Sequence, residues 1–217
     1  MKNIFFIGAG GFGSECYQTI LEVMAVDKNI CFKGFLSTSN DLAPYGLEHL
    51  FLGHYDDYAF GRDDYAVIAI GNPIARFKIY HLLKNRGVQF YNLISPRALV
   101  SHTELIGEAN VICPFSYLGL NTTIGNANII GFYALVGHDC KVGDYNFISS
   151  YVSFGGGASI GSYNFLAHKA TLSPKASMGD NCTLSAHSLI AKKLKDHTIA
   201  LGSPAEPIGT NPPIPHT

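Results

Sequence analysis

Charge is scarce in this chain. Only 14% of its 217 residues are charged, and 15 basic against 16 acidic side chains leave a net charge of −1. A protein that binds nucleic acid or an anionic membrane through its surface needs a basic excess, and none is present. Cysteine is sparse too. Cys16, Cys31, Cys113, Cys140 and Cys182 are odd in number and scattered, with no CxxC pair. They read as reduced structural thiols, three of them in small-residue slots of a repeat, and no metal site is expected. Long apolar runs are missing. The one near the N-terminus, Ile4–Ile7, is four residues long, against roughly 20 for a membrane helix, and no basic region or cleavage site frames it. The expected location is the cytoplasm, with neither membrane nor nucleic acid as partner.

What the chain has in abundance is a period of six. Stepping by six from Ile94 through Val100, Ile106 and Ile112 to Leu184 and Ile190 meets only apolar residues, with no insertion. The next position is always small, from Ser95 and Gly107 to Gly179 and Ala191. Helical burial recurs at 3.6 and strand burial at 2, so neither explains the pattern. Six is the signature of a hexapeptide solenoid. Each hexad is a short strand and a turn, and three hexads make one triangular coil. Eighteen residues then advance the chain by one strand spacing, roughly 4.8 Å. The expected fold is a left-handed parallel β-helix of five to six coils over residues 93–191. Glu104 is the one clear misfit in the slot four residues after each apolar position.

Residues 1–92 read differently. Asn3 to Ile7 predicts a buried strand. Gly8-Ala9-Gly10-Gly11-Phe12-Gly13 follows, then a helix over 14–26. A glycine turn between strand and helix lets backbone N–H groups approach a phosphate at the helix N-terminus. The dinucleotide fingerprint also wants a carboxylate after the second strand. Here the second strand, about 30–36, ends in Ser37-Thr38-Ser39, so a full NAD site is not expected. A third strand over 65–70 runs into Gly71-Asn72-Pro73 and a helix over 74–86. Gly71, Asn72 and Arg76 are thereby expected near the glycine loop, with Arg76 either holding a phosphate or standing as a solvated helix residue. A last strand over 89–93 feeds the first coil. The acidic stretch from Asp56-Asp57 to Asp63-Asp64 reads as solvated surface. The whole is a small Rossmann-like α/β domain, 1–92, followed by the all-β helix, 93–191, and a C-terminal extension, 192–217.

Of the nine histidines, His138 alone among those on the repeat has an acid beside it, Asp139. His168 and His187 lie on the repeat without one, and the other six read as surface residues. His138 stands two past the inward Val136, at an outward position. A neighbouring carboxylate orients an imidazole and raises its basicity, as a general base requires. One coil on, Gly155-Gly156-Gly157 either offers a backbone donor or makes a tight corner.

The chain resembles the bacterial nucleotide-amino-sugar N-acetyltransferases, a group with the bacillosamine and perosamine acetyltransferases and sialic acid O-acetyltransferase relatives. The resemblance rests on Gly8-Ala9-Gly10-Gly11, Ala69-Ile70-Gly71-Asn72 with Arg76, Asn92-Leu93-Ile94, Val136-Gly137-His138-Asp139-Cys140-Lys141-Val142-Gly143 and Gly202-Ser203-Pro204-Ala205. It implies an acetyl-CoA-dependent transfer to the amino group of a UDP-, dTDP- or GDP-linked 4-amino-4,6-dideoxy sugar for a surface glycan. It implies a homotrimer with His138 as base at the subunit boundary and Asp139 holding it. The nucleotide sugar would bind at Gly8, Gly10, Gly11, Phe12, Ser37, Thr38, Gly71, Asn72 and Arg76. Acetyl-CoA would lie against Phe147, Gly156, Ala167, Ala186 and Lys192, with Lys193 and Lys195 near its phosphates. Several positions depart from the family. Phe147 replaces a second histidine, Ala167 and Ala186 replace glycines, Glu206 replaces a lysine, and Ser37-Thr38 replaces an acidic pair. The alternatives are a sugar O-acetyltransferase of the sialic acid type, or a non-catalytic or other-acyl nucleotide-sugar-binding relative.

Overall fold

The structure is a computed structural model that describes residues 1–102 and 105–214. Glu104 and His216 lie outside the described residues. The N-terminal domain is a parallel sheet of β1 (Lys2–Ile7), β2 (Ile30–Leu36), β3 (Phe51–Gly53), β4 (Asp64–Ile68) and β5 (Gln89–Phe90), ordered β3-β2-β1-β4-β5. Helices α1 (Gly11–Val26) and α2 (Pro73–Asn85) make the crossovers. Alternation along β1 divides the core. Ile4 and Phe6 pack with Cys16, Ile20 and Val23 of α1, whereas Phe5 and Ile7 pack with Leu83 of α2 and Val88. Burial pushes the Cys113 thiol up to about 12 and Cys16 well above its ordinary value. Both are therefore held as neutral thiols.

Two details differ from the sequence expectation. The helix α1 begins at Gly11 rather than Ser14. Three glycines argue against helix by propensity, but tertiary packing overrides it: a Cβ on Gly13 would collide with the Gly8 carbonyl. The acidic stretch is only partly solvated. Asp64 is 8% exposed and accepts from Asn3 Nδ2 and the Gly61 N–H, each at 2.8 Å. It ties β1 to the loop before β4, which a charge count alone cannot reveal.

From Leu93 on, the chain winds a left-handed three-sided prism. Its first face starts at Leu93–Ile94, its second at Leu99–Val100, and its third follows Thr123–Ile124. Paired residues differ by 18, as in Ile130 with Ile148 and Val136 with Phe154. Inward residues from Ile112 to Ile190 form one buried column, with Ile94, Val100 and Ile106 partly buried at its open end. Each buried aliphatic side chain is worth roughly 1.5–3 kcal/mol. From Ile106 to Leu184 the corner residue three past each inward position takes a left-handed backbone, as in Asn121, Tyr133, Asp139 and Tyr145. Asn110, Asn128, Asn146 and Asn164 stack inside one corner, and each side-chain oxygen accepts an N–H from the next coil at 2.7–2.9 Å.

The prism does not stop at residue 191. Lys193–Leu194 pairs with Ser177–Met178 after a corner shortened by two residues, and Thr198–Gly202 pairs with Thr183–Leu184 before folding back against Ala205–Thr210. The C-terminal extension is thus the last turn of the prism plus a hairpin. The N-terminal domain covers the first face: outward Leu93, Val111 and Ile129 are buried, and Phe147 is partly buried, against the core containing Phe6 and Ile20.

Candidate active site

His138 projects from the corner between the second and third faces. Its Nδ1 lies 2.6 Å from Asp139 Oδ2, and Asn121 Nδ2 donates to the other carboxylate oxygen at 3.2 Å. The hydrogen bond from His138, then that from Asn121, holds the Asp139 carboxyl below its usual pKa. An ionised Asp139 fixes a proton on Nδ1 and leaves the Nε2 lone pair free to accept one. Both side chains are open to solvent, His138 at 69%. Asp139 can stand beside the ring because its backbone is left-handed, with φ 57°.

Gly156 lies one coil on. A Cβ there would fall 2.7 Å from His138 Cε1 and closer still to Nε2. The ring therefore lies against the Gly156 backbone, and a side chain at that position would have to displace it. The Gly156 carbonyl accepts from Lys175 N at 3.0 Å, while no acceptor among the described residues takes its N–H. A free base and a free amide donor thus share one niche, an arrangement suited to proton removal with stabilisation of a developing oxyanion.

The same corner column continues through Pro174 to Lys192, 54 residues or three coils from His138, about 14 Å at strand spacing. There Lys192, Lys193 and Lys195 line a cavity of about 440 Å³ with Pro204 and Glu206. The corner carries a base at one end and a cluster of three ammonium groups at the other.

The glycine loop forms the second half. Gly10 caps α1 with no side-chain hydrogen bond, so the first N–H groups of the helix are left for a ligand. A Cβ on Gly10 would meet nothing within 4 Å, whereas one on Gly11 would press on Tyr45 at 3.0 Å. Ser37 and Thr38 follow β2, and Gly71 and Asn72 follow β4, all at the carboxyl ends of the strands. The Asn72 side chain caps α2, accepting from Ala75 N at 2.9 Å.

Arg76 is a correction. It is not available to a phosphate, nor is it solvated. It is completely buried, and it donates to the carbonyls of Ile70, Gly71, Ala127 and Tyr145 at 2.6–3.0 Å. Burial pushes its pKa down to about 9, so it stays charged at neutral pH. The guanidinium bolts the end of β4 to two successive coils at one corner of the prism. The signal available in the sequence was a cation in the first turn of a helix; the left-handed corners that aim carbonyls at it come from the fold.

The structure does not bring all expected residues together in one chain. Phe147 lies on the first face, edge-on to Phe12 at 6.0 Å and against Gly71. It belongs with the glycine loop, not with His138. Ala167 and Ala186 lie at the corner between the first and second faces. Only Gly156 and Lys192 share the corner of His138. Because the N-terminal domain covers the first face, the corner of His138 is the one opposite it. Base and glycine loop stand on opposite sides of the prism.

Among the described residues no group of three His, Cys, Asp or Glu side chains could hold a metal ion, and no helix is long and apolar enough to cross a membrane. The family model for the bacterial transferase hexapeptide (six repeats) matches residues 121–156. No curated protein sequence matches the chain. Solved structures do. A histidine-to-asparagine mutant of perosamine N-acetyltransferase from Caulobacter crescentus, in complex with CoA and GDP-perosamine, is 21% identical, with a TM-score of 0.84 over 96% of this chain and 98% of that one. The acetyltransferase domain of PglB from Neisseria gonorrhoeae is 21% identical, with a TM-score of 0.82 over 96% and 100%. WeeI from Acinetobacter baumannii is 24% identical, with a TM-score of 0.75 over 96% and 100%. The chain shares the two-part architecture of these proteins from end to end.

Proposed function

We propose that this protein is a cytoplasmic, acetyl-CoA-dependent N-acetyltransferase that acts on the amino group of a nucleotide-linked 4-amino-4,6-dideoxy sugar, for synthesis of a bacterial surface glycan. The observation that carries the reading is the His138–Asp139 pair against the Gly156 backbone, on a corner that ends in three lysines. The lysines suit the phosphates of CoA, and the spacing of about three coils suits its extended arm. Bound acetyl-CoA would supply an acyl group activated as a thioester. His138 Nε2 takes the proton that the attacking amine loses as its nitrogen becomes an amide. Asp139 holds the ring and balances its charge. The Gly156 N–H donates to the oxygen on which negative charge develops. The proton on Nε2 can then pass to the leaving sulfur. At the other half, the N-terminus of α1 holds the nucleotide's phosphates.

Since the two halves face opposite ways, the site is completed between copies, with His138 of one chain opposite the glycine loop of the next. The outward positions of the prism support a trimer. On the first face, from Leu93 to Phe147, they are apolar and wholly or partly covered. On the third they are Thr123, Lys141, Ser159 and Ser177. On the second and its preceding corner an apolar strip is exposed before the column turns to Ser153 and Thr171: Leu99 at 65%, Leu135 at 43%, and a stack of Phe115, Tyr133 and Tyr151 with centroids 5.0 Å apart. An apolar strip of this kind marks an interface. Incubation with acetyl-CoA and a panel of UDP-, dTDP- and GDP-4-amino-4,6-dideoxyhexoses, read by thiol release, tests the reading. One member should be turned over; no release with any member, and no CoA binding, would overturn it.

A further inference from the structure

On the first face, one coil beyond Phe147, a cavity of about 450 Å³ opens between the start of α2, the prism and the segment 211–214. Its floor is Tyr163 and Phe165, and Phe165 is 37% exposed. Its rim carries Asn72, Asn181, Thr183 and Asn211, and its outer wall is Pro212 to Ile214. Among the described residues no charged side chain lines it. The outer wall is latched in place. Asn181 Nδ2 donates to the Pro212 carbonyl at 2.8 Å, and Asn211 Nδ2 donates to the Asn181 carbonyl at 2.8 Å. These bonds leave Asn181 Oδ1 and Asn72 Nδ2 without a protein partner among the described residues.

Resting on the nucleotide-sugar reading above, we propose that this cavity is the subsite for a pyranose ring free of carboxylate and phosphate groups, and that segment 211–214 is part of it. Three features point there. The volume lies in the range of small-ligand pockets, whose lining is apolar with a few placed polar groups. Aromatic faces carry partial negative charge and attract the C–H edges of a sugar, while amides and a hydroxyl pair with its hydroxyl groups. A chain of rings leads from the glycine loop to the floor: Phe12 meets Phe147 at 6.0 Å, and Phe147 stacks on Phe165 at 5.2 Å. A ring linked to a phosphate at α1 would pass along it. The absence of a cation sets the selectivity. A carboxylated sugar would bury its charge without a partner, which costs far more than hydroxyls can return. Phosphates of CoA are disfavoured here for the same reason.

Calorimetry on the full protein tests this with three variants: Phe165→Ala, Asn181→Ala and a chain ending at Thr210. The ligands are the panel's nucleotide amino sugars, the matching nucleoside diphosphates, the matching nucleotide uronates, and CoA. Wild type should bind one amino sugar about tenfold or more tighter than its bare nucleoside diphosphate, and the uronate no tighter. Each variant should erase that difference and leave diphosphate and CoA affinity within about twofold. Melting curves identify a variant that has lost its fold, and the other two then decide. Variants that keep the full sugar increment, or that lose CoA affinity instead, would overturn the subsite while leaving the N-acetyltransferase reading intact. If wild type binds CoA but none of the nucleotide sugars, that reading falls and the subsite with it.

Discussion

At Gly156 the missing side chain is a condition for the base to sit where it does. Gly156→Ala would push a methyl group into the imidazole at Nε2, while the backbone there keeps its place in the corner. The variant should keep its assembly and melting temperature but lose kcat nearly as far as His138→Ala. That loss is roughly 10²–10⁴, the usual contribution of a general base. His138→Asn should fall equally, since an amide cannot accept the proton. Asp139→Asn should lose less, because it only orients the ring. Steady-state thiol release with both substrates saturating checks all four. A Gly156→Ala enzyme with near-normal kcat would show that the ring reaches its substrate from another rotamer. Arg76 predicts the opposite profile. Arg76→Met strands four carbonyls, two of them buried and two partly buried, and should cost on the order of 3 kcal/mol. That corresponds to a melting temperature roughly 6–12 °C lower for a chain of this size. An unchanged melting curve would mean the two domains hold together without it.

Elements of the fold differ in how far the sequence discloses them. The prism is legible almost residue by residue, because a strict period of six is compatible with no other regular structure. The inward column from Ile94 to Ile190 follows from it directly. The buried asparagines at 110, 128, 146 and 164 recur at 18 and could have been found by the same stepping. They mark a corner that pulls its polar side chain inward to satisfy the next coil. So could the outward column Leu93, Val111, Ile129, Phe147, whose apolar character marks the face that another domain covers. The end of the prism was harder to see, since the shortened corner at 191–192 breaks the step while pairing continues. In the N-terminal domain the strand–glycine–helix order was plain, but the start of α1 was not: it is set by contact with Gly8, a tertiary fact. The same loop yields a prediction. Gly10→Val fits the fold, because the Cβ meets open space, but its branches would crowd the phosphate approach. Nucleotide-sugar affinity should drop at least tenfold, with CoA affinity and melting temperature unchanged. Equal loss of both ligands would contradict the assignment of the loop.

For the whole molecule, the three faces of the prism divide the labour. One carries the nucleotide domain, one is polar, and one offers an apolar strip that a monomer would leave in water. The sequence carried the pair His138-Asp139 and the glycine loop in plain view, but not that they point apart, because direction around the prism emerges only when hexads are counted into faces. Tyr133→Asp with Leu135→Asp should dissolve the proposed trimer into monomers by light scattering and abolish turnover, with the monomer still binding nucleoside diphosphate. Composite sites between copies can be tested in one measurement. His138→Ala and Gly10→Val chains, each strongly impaired alone when the nucleotide sugar is held well below saturation, are co-expressed with different tags, and the mixed assemblies are isolated and assayed under that condition. In a closed ring of three, every mixed trimer retains one interface of the three where an intact base faces an intact loop, so the isolated mixed trimers should recover about a third of wild-type activity. Mixed trimers as inactive as either parent would place base and nucleotide loop in the same chain's site and contradict the account.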